Sequence, residues 1–195
     1  MNIRHVILDR DGVLNVEGSN GWVMHPDEWV WERNALAGLR RLCVNRRVSV
    51  ATNQSCIGRG LVDHRTIDAV NDHMCAAAVL ADARIDSVWL CPHAPTAGCD
   101  CRKPEPGLLT SAIRESGIPP GETLFVGDSV TDIQAGLRAA VAVVLVRTGK
   151  GGNTESSIEA DGVLVVDDLA ALADMLNERV ESGSATGPES GSRPH

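Results

Sequence analysis

Aspartates in this sequence stand directly after two apolar runs that have the composition of buried strands. Asp9 and Asp11 follow the run HVIL, and Asp128 and Asp132 follow TLFVG. A lone aspartate in such a place usually caps a turn. Several carboxylates at one sheet edge, however, repel one another unless a cation neutralises them, and Mg²⁺ prefers carboxylate, water and phosphate oxygens. The grouping therefore predicts a magnesium site.

Uncharged and cationic hydrogen-bond donors complete this set. The apolar run VSVAT ends at Thr52 and is followed by Asn53 and Gln54, and the segment CRKP supplies Arg102 and Lys103. Hydroxyl, amide and ammonium groups can hold phosphoryl oxygens, and a guanidinium can bind a phosphate through two hydrogen bonds. With one carboxylate as nucleophile and another for proton transfer, these residues favour phosphoryl transfer.

A cluster of soft metal ligands precedes Arg102. Cys91-Pro-His93, then five residues, then Cys99-Asp-Cys101 place three thiols and an imidazole within eleven positions. This composition is typical of a closed structural Zn²⁺ site with four protein ligands. A disulfide is the alternative, but it would leave His93 without a role. We expect zinc at Cys91, His93, Cys99 and Cys101, where it would order the loop that aims the two following cations.

A parallel sheet must position these residues, because short β-branched runs alternate with helix-like stretches along the chain. The sequence predicts strands at 5–8, 48–52, 87–90, 123–127, 142–146 and 162–166. It predicts helices at 35–45 with Asn34 as cap, 63–81, 106–116, 132–140 and 169–180. Ile67, Val70, Met74 and Val79 are expected to face the core from the second helix. The predicted fold is α/β, a Rossmann-like three-layer sandwich around a mainly parallel sheet, with no large cap domain.

The length of 195 residues, 43% of them hydrophobic, fits one domain. We assign residues 1–180 to this domain and expect a disordered tail over 181–195, which is rich in Gly, Ser and Pro. The net charge of −8 argues against a nucleic-acid partner. No apolar run approaches the roughly 18 residues of a membrane span. We therefore expect a cytoplasmic protein with no membrane partner, whose six cysteines are thiols or metal ligands.

Four motifs together resemble the haloacid dehalogenase superfamily of phosphatases: DRDGVLN at 9–15, TNQ at 52–54, RKP at 102–104 and GDSVTD at 127–132. The resemblance implies that Asp9 attacks phosphorus and that Asp11 protonates the leaving oxygen and then activates water. It also implies that Thr52, Arg102 and Lys103 stabilise the phosphoryl group. The Mg²⁺ ligands implied are Asp9, the main-chain carbonyl of Asp11, and Asp128.

The Cys/His pattern before Arg-Lys-Pro further resembles a branch that contains heptose bisphosphate and histidinol phosphate phosphatases. The segments GWV at 21–23, NQSCIGRG at 53–60 and RTGK at 147–150 favour the heptose enzymes. This implies hydrolysis of the 7-phosphate of D-glycero-D-manno-heptose 1,7-bisphosphate. The expected substrate contacts are Ser19, Asn20, Gly21, Trp22, Asn53, Gln54, Ser55, Arg59, Arg102 and Lys103. The departures from the usual heptose pattern are Cys56 for Gly, Trp22 for Tyr and Ser129 for Lys.

Other functions stay open at this point. The short zinc-type loop and TDIQ at 131–134 also resemble the histidinol phosphate branch, and another small sugar phosphate is a further candidate substrate. The alternative outside enzymology is a zinc-ordered binding module that has lost catalysis, although Asp9 and Asp11 are both present. For the enzyme, the expected partner is a small phosphorylated sugar, bound by a monomer.

Overall fold

The computed structural model of the chain describes residues 2–157 and 163–184. The strands are β1 (His5–Leu8), β2 (Arg47–Asn53), β3 (Ser87–Cys91), β4 (Thr123–Gly127), β5 (Ala142–Val146) and β6 (Leu164–Val166). They form one sheet in the order β3-β2-β1-β4-β5-β6, and every neighbouring pair is parallel. The sixth strand was predicted from position 162, which lies outside the described residues.

Helices connect the strands within this part of the chain. They are α1 (Ala35–Leu42), α2 (Ser55–Gly58), α3 (His64–Leu80), α4 (Gly107–Ser116), α5 (Val130–Arg138), α6 (Gly151–Ser157) and α7 (Leu169–Ser184). Two short 3-10 turns occur at Pro26–Glu28 and Pro120–Glu122.

Successive side chains of the central strands enter different cores, because a strand alternates its side chains between its two faces. Val6 and Leu8 of β1 belong to a core that also holds buried residues of α1, α3 and α7. Ile7 belongs to a second core with residues of α4 and α5. Helices therefore cover both faces, which confirms the predicted three-layer sandwich. Between residues 2 and 157 and from 163 to 184, no inserted domain covers the strand ends.

The strand register brings the polar residues to one edge of the sheet. Leu8 of β1 lies level with Val50 of β2 and Val126 of β4. Asp9 follows Leu8 directly, and Thr52 and Asp128 come two residues after their level positions. All three therefore emerge at the carboxyl ends of adjacent strands, where open parallel sheets bind their ligands.

Two helical predictions are corrected by side-chain placement. Val79 is 66% exposed, and Ala78 occupies the buried position instead. The face set by Val70 and Met74 continues four residues later, at 78, which turns Val79 outward. Asn34 stands at the start of α1 but forms no cap hydrogen bond there, because its backbone is left-handed (φ +57°) rather than extended; its Nδ2 donates to Asp168 Oδ2 at 2.8 Å.

Several boundaries also differ from the predicted ones. Helix α5 starts at Val130, two residues early, because Ser129 and Asp132 form a capping box. Helices α2 and α6 were not predicted. Helix α7 runs to Ser184, so residues 181–184 of the expected tail are helical rather than disordered, and 185–195 lie outside the described residues. In the described part of the chain, none of the helices combines the length and apolarity that a bilayer crossing requires.

Candidate active site

Asp9 occupies the first position after β1. Its N–H donates to the Val126 carbonyl of β4 at 2.8 Å, which extends the strand pairing by one residue and fixes the backbone. Its Oδ1 lies 2.7 Å from the Lys103 Nζ and accepts a hydrogen bond from Arg10 N. Burial raises the pKa of Asp9 well above its usual value, and Asp132 and Asp128 add to this effect against the opposing charge of Lys103.

Lys103 supplies the positive charge beside Asp9. It is 3% exposed, and its Nζ lies 2.7 Å from Asp132 Oδ1 and donates to the Ala51 carbonyl at 2.9 Å. Burial alone would lower the pKa of Lys103, but the carboxylates of Asp132 and Asp9 raise it above its usual value. Asn53 fixes the backbone of Lys103 through two hydrogen bonds of 3.0 and 3.1 Å. The end of β2 thus places the ammonium group.

The carboxylates near Lys103 form a site that fits a divalent cation. One oxygen from each of Asp9, Asp128 and Asp132 lies within 4.8 Å of the others, and all three residues are buried. Burial and Asp132 raise the pKa of Asp128 to about 6. A single ammonium cannot neutralise three carboxylates, and hard oxygen donors of this kind suit Mg²⁺. The expected metal residues Asp9 and Asp128 therefore come together.

Asp132 is a site residue whose role the sequence did not assign. Its Oδ1 pairs with Lys103, and its Oδ2 accepts hydrogen bonds from the Ser129 N–H at 3.1 Å and the Ser129 hydroxyl at 2.5 Å. The same carboxylate therefore caps α5 and anchors the Lys103 ammonium. The Ser129-x-x-Asp132 spacing signals the cap, whereas the pairing with Lys103 depends on the fold.

Gly12 lets the chain pass against Asp128. Its φ of +87° lies in the left-handed region, and a Cβ there would stand 2.0 Å from Asp128 Oδ2. The Gly12 carbonyl accepts a hydrogen bond from the Thr148 hydroxyl at 2.7 Å, and the Lys150 N–H donates to Asp128 Oδ2 at 2.8 Å. The turn after β1 and the loop after β5 therefore both contact Asp128 and fix its position.

Asp11 points into a ring of hydrogen-bond donors. Its Oδ1 accepts from Asn15 Nδ2 at 2.9 Å and from the Arg10 guanidinium at 3.2 Å, and its Oδ2 accepts from Gln54 Nε2 at 2.7 Å. Burial would raise the pKa of Asp11, but Arg10 and the hydrogen bonds from Asn15 and Gln54 lower it overall. Its side chain is not part of the three-carboxylate cluster, which is compatible with a main-chain contact to the metal.

A cleft of about 320 Å³ opens in front of these groups. The predicted site residues that line it are Asp9, Asp11, Gly21, Trp22, Thr52, Asn53, Ser55, Arg59, Arg102, Lys103 and Asp128. The Arg59 guanidinium lies 5.5 Å from the centre of the Trp22 ring, a cation–π contact that joins α2's C-terminus to the loop after β1. Lys150, the last residue of the RTGK segment, also lines the cleft, and it forms an ion pair of 2.5 Å with Glu17, which the sequence did not single out.

Three of the expected substrate contacts, Ser19, Asn20 and Gln54, are not among the residues that line the cleft. Ser19 and Asn20 line a neighbouring cavity of about 250 Å³ that shares Trp22 and Glu17 with the cleft. Gln54 is fully buried, and its amide group donates to Asp11 Oδ2 and to the Thr52 hydroxyl. The two amide hydrogens of Gln54 are therefore used inside the protein, where they hold the side chains of Asp11 and Thr52.

The four predicted zinc ligands converge at the end of β3. The sulfur atoms of Cys91, Cys99 and Cys101 and the Nδ1 of His93 lie within 4.8 Å of one another, with five separations between 3.2 and 3.7 Å. Tetrahedral Zn²⁺ with Zn–S of about 2.3 Å and Zn–N of about 2.0–2.1 Å places its ligands roughly 3.5–3.8 Å apart. A disulfide needs about 2.05 Å, so none of these pairs is one.

The electrostatics of this cluster also fit a cation. Burial and the thiols of Cys91 and Cys99 raise the pKa of Cys101 to about 12. A positive ion between them would be needed to keep all three thiols ionised. The cluster is tied to the active site, since the Gln54 N–H donates to the Cys91 carbonyl at 2.8 Å and Arg102 donates to the His93 carbonyl at 3.4 Å.

Comparison with known proteins places this geometry in a family. A family model described as HAD-hydrolase-like matches residues 100–172. D-glycero-β-D-manno-heptose-1,7-bisphosphate 7-phosphatase of Bordetella bronchiseptica is 40% identical over 88% of this chain and 96% of its own length. The enzyme of that name from Pseudomonas aeruginosa is 38% identical over 88% of this chain and 96% of its own length.

Solved structures agree with these relatives. The D,D-heptose 1,7-bisphosphate phosphatase from B. bronchiseptica, in complex with magnesium and phosphate, has a TM-score of 0.86 and 38% identity over 91% of this chain and 99% of that one. The D,D-heptose 1,7-bisphosphate phosphatase from Burkholderia thailandensis has a TM-score of 0.67 and 40% identity, and the match covers 89% of this chain and 98% of that one. The chain therefore belongs to the haloacid dehalogenase-like phosphatases, in the branch that contains the heptose 1,7-bisphosphate 7-phosphatases.

Proposed function

We propose that this chain hydrolyses the 7-phosphate of D-glycero-β-D-manno-heptose 1,7-bisphosphate through a phospho-aspartate on Asp9. The observation that carries the proposal is the setting of Asp9, whose carboxylate stands at the end of β1 in the cleft, 2.7 Å from a buried ammonium. The substrate follows from the names of relatives that are 38–40% identical over most of the chain.

In the first step, a carboxylate oxygen of Asp9 forms a bond to phosphorus while the bond from phosphorus to the sugar oxygen breaks. Asp11 gives its proton to the leaving oxygen, a step that requires its protonated form although the donors around it lower its pKa. Lys103 and the hydroxyl of Thr52, which line the cleft beside Asp9, donate to the phosphoryl oxygens as negative charge develops on them.

In the second step, water attacks the phosphorus of the aspartyl phosphate, and the bond from phosphorus to Asp9 breaks. Asp11 accepts the proton from this water, and inorganic phosphate leaves. The donors around Asp11 favour its ionised form, which is the form that can take this proton. Asp9, Asp128 and the Asp11 carbonyl would hold Mg²⁺, which when bound supplies positive charge to the phosphoryl oxygens.

A bisphosphate needs positive charge for its second phosphate as well. Outside the buried Lys103, three cationic side chains line the cleft: Arg59, Arg102 and Lys150. We assign Arg59 and Arg102 to the substrate, because a guanidinium can bind a phosphate through two hydrogen bonds. Gly21, Trp22, Asn53 and Ser55 would contact the sugar, with Ser19 and Asn20 at the far side of Trp22.

The zinc ion that we propose at Cys91, His93, Cys99 and Cys101 has a mechanical role. It would fix the loop between β3 and Arg102, and so keep the Arg102 guanidinium at the cleft. We expect about one Zn²⁺ per chain by elemental analysis of the purified protein. A folded, active protein without zinc would contradict this assignment.

The reaction is tested by phosphate release from the heptose bisphosphate with Mg²⁺. We expect Asp9→Asn to lose at least about 1,000-fold in rate, because an amide cannot replace the nucleophilic carboxylate. Asp82→Asn is the matched control, since Asp82 is exposed and asparagine tolerates its left-handed backbone. An Asp9→Asn variant as active as this control would overturn the nucleophile assignment.

The substrate is tested by comparing kcat/KM for the β and α anomers of the heptose bisphosphate and for histidinol phosphate. We expect the β anomer to be the best of the three. Faster turnover of histidinol phosphate would overturn the substrate assignment and leave the reaction class intact.

We also propose that the enzyme is a cytoplasmic monomer. A zinc site with three thiolates needs a compartment that keeps cysteines reduced, which supports the cytoplasmic location. Light scattering of the purified protein should give the mass of one chain. A stable dimer at assay concentrations would contradict the proposal.

A further inference from the structure

The Arg10 guanidinium is buried directly behind the proton-transfer residue. Arg10 is 0% exposed, and one terminal nitrogen donates to Asp11 Oδ1 at 3.2 Å. The other donates to Asn71 Oδ1 at 3.0 Å, while the Nε hydrogen has no partner in the described part of the chain. Two neighbours therefore hold this buried charge, and one of them is Asp11.

Asn71 belongs to α3, which is fixed independently of the cleft. Its neighbours Val70 and Met74 are fully buried in the larger core, and Asn71 itself is 6% exposed. Arginine has only donors, so the contact requires the amide oxygen of Asn71 to face it. The amide is thus an acceptor held by a packed helix and aimed at Arg10.

We infer that Asn71 is a positioning residue for proton transfer, which acts by holding Arg10 against Asp11. This inference rests on the proposed role of Asp11 as acid and base. A buried guanidinium seeks acceptors because an unpaired buried charge is costly. Without Asn71, Asp11 would be the one acceptor left to Arg10 among the contacts described, so the guanidinium would lose the second contact that fixes its orientation and would pull the Asp11 carboxylate from its position.

The expected defect is specific to leaving groups that need a proton. The sugar oxygen of the heptose bisphosphate leaves as an alkoxide unless Asp11 protonates it, whereas the p-nitrophenolate of p-nitrophenyl phosphate leaves without a proton. Since kcat/KM reports the steps up to formation of the phosphoenzyme, it isolates the step in which this proton is given. Loss of folded protein lowers kcat/KM for both substrates by the same factor, so the ratio of the two kcat/KM values reports positioning alone.

We expect Asn71→Leu, which is similar in size and lacks the acceptor, to lower kcat/KM for the heptose bisphosphate about 10-fold, because a displaced acid loses much of its effect. For p-nitrophenyl phosphate the change should be less than about two-fold. Asn71→Asp retains an acceptor for Arg10 and should stay within about three-fold on both substrates. Met74→Leu, a conservative change one turn further along α3, controls for disturbance of the helix.

Asp11→Asn separates failure of this inference from failure of the proposed function. It should lower kcat/KM for the heptose bisphosphate far more than for p-nitrophenyl phosphate. Suppose that Asp11→Asn discriminates between the two substrates in this way. Asn71 then has no positioning role if Asn71→Leu lowers kcat/KM equally for both, or if Asn71→Asp is as impaired as Asn71→Leu. If Asp11→Asn does not discriminate, the acid assignment itself is wrong. Should Asn71→Leu not fold, Asn71→Ala removes the same acceptor and takes its place.

Discussion

In the cleft, one ammonium group faces three carboxylates. Lys103 Nζ lies 2.7 Å from oxygens of both Asp9 and Asp132, and Asp128 completes the cluster. Burial raises the pKa values of Asp9 and Asp128, which reflects the cost of keeping these carboxylates ionised without a further cation. The negative charge of the cluster therefore exceeds what this ammonium can neutralise, as expected for carboxylates that share a dication.

At this scale the sharpest test is Gly12→Ala. A Cβ at Gly12 would lie 2.0 Å from Asp128 Oδ2, so the Asp128 carboxylate must shift. We expect kcat/KM to fall at least about 100-fold, because displacing a metal-holding carboxylate by about 1 Å is enough for a loss of that order. The loss of Mg²⁺ affinity can be measured by titration.

Gly117→Ala is the control for backbone strain. Gly117 has a φ of +67°, and a Cβ there meets nothing within 4 Å. Both variants should lose roughly 1–2 kcal/mol of stability from the left-handed conformation. Only Gly12→Ala should lose activity, and equal activity in the two variants would show that the contact with Asp128 is unimportant.

Individual site residues were predictable where they follow a strand. Asp9 and Asp128 directly follow apolar runs and Thr52 ends one, so they could be assigned, because a parallel sheet brings those ends to one edge. Partners that meet through the fold could not. Asp132 with Lys103, Glu17 with Lys150 and Arg10 with Asn71 carry no signal in the spacing between them, because those contacts depend on how loops and helices pack.

At the scale of elements, the loop after β3 links the cysteine cluster to the cleft. Cys91 ends β3, and Arg102 follows Cys101 directly. Lys103 is held separately by Asn53, through main-chain contacts of 3.0 and 3.1 Å. Loss of zinc should therefore disturb Arg102 more than Lys103.

We expect Cys99→Ser to reduce bound zinc below one ion per chain and to raise KM for the heptose bisphosphate about 10-fold, with a smaller change in kcat. The reason is that a released loop no longer holds Arg102 at the cleft, a contact worth a charge-assisted hydrogen bond or two. Cys75→Ser is the control, since Cys75 lies on α3 outside the cluster. A fall in kcat with KM unchanged would show that the loop acts on Lys103 instead.

Elements were predictable according to their length and pattern. Strands β1 to β5 were found within one residue at each end, because a run of β-branched residues between polar segments is a strong signal. Helix α2 has four residues and α6 reads GGNTESS, so neither carries an apolar period from which a helix could be inferred. Helix α5 was placed two residues late because its cap was overlooked.

At the scale of the whole molecule, a buried histidine couples stability to pH. His5 in β1 is 0% exposed, and its Nε2 lies 2.8 Å from the Ser49 hydroxyl. Burial, and to a lesser extent Arg47, lowers the pKa of His5 from 6.5 to about 4, against the opposite effects of Glu115 and Asp86. As the pH falls below 6.5, the unfolded chain binds a proton that the folded protein excludes, so stability is lost down to about pH 4.

We expect this histidine to lower the free energy of unfolding by up to about 2 kcal/mol between about pH 7.5 and pH 5. His5→Gln keeps a partner for Ser49 but has no proton to bind, so its urea midpoint should fall less over the same interval. If wild type and His5→Gln respond identically to pH, His5 does not contribute to the acid sensitivity of the fold.

The central claim is that Asp9 carries the phosphoryl group during turnover. The most direct measurement is rapid acid quench of the Asp11→Asn variant with p-nitrophenyl phosphate labelled in its phosphate, whose leaving group needs no proton from Asp11, followed by peptide mapping. Because Asp11 is needed to activate water, this variant should accumulate the intermediate, and we predict that the label is found on Asp9. Label on another residue, or phosphate release with no labelled protein at any time, would contradict the account.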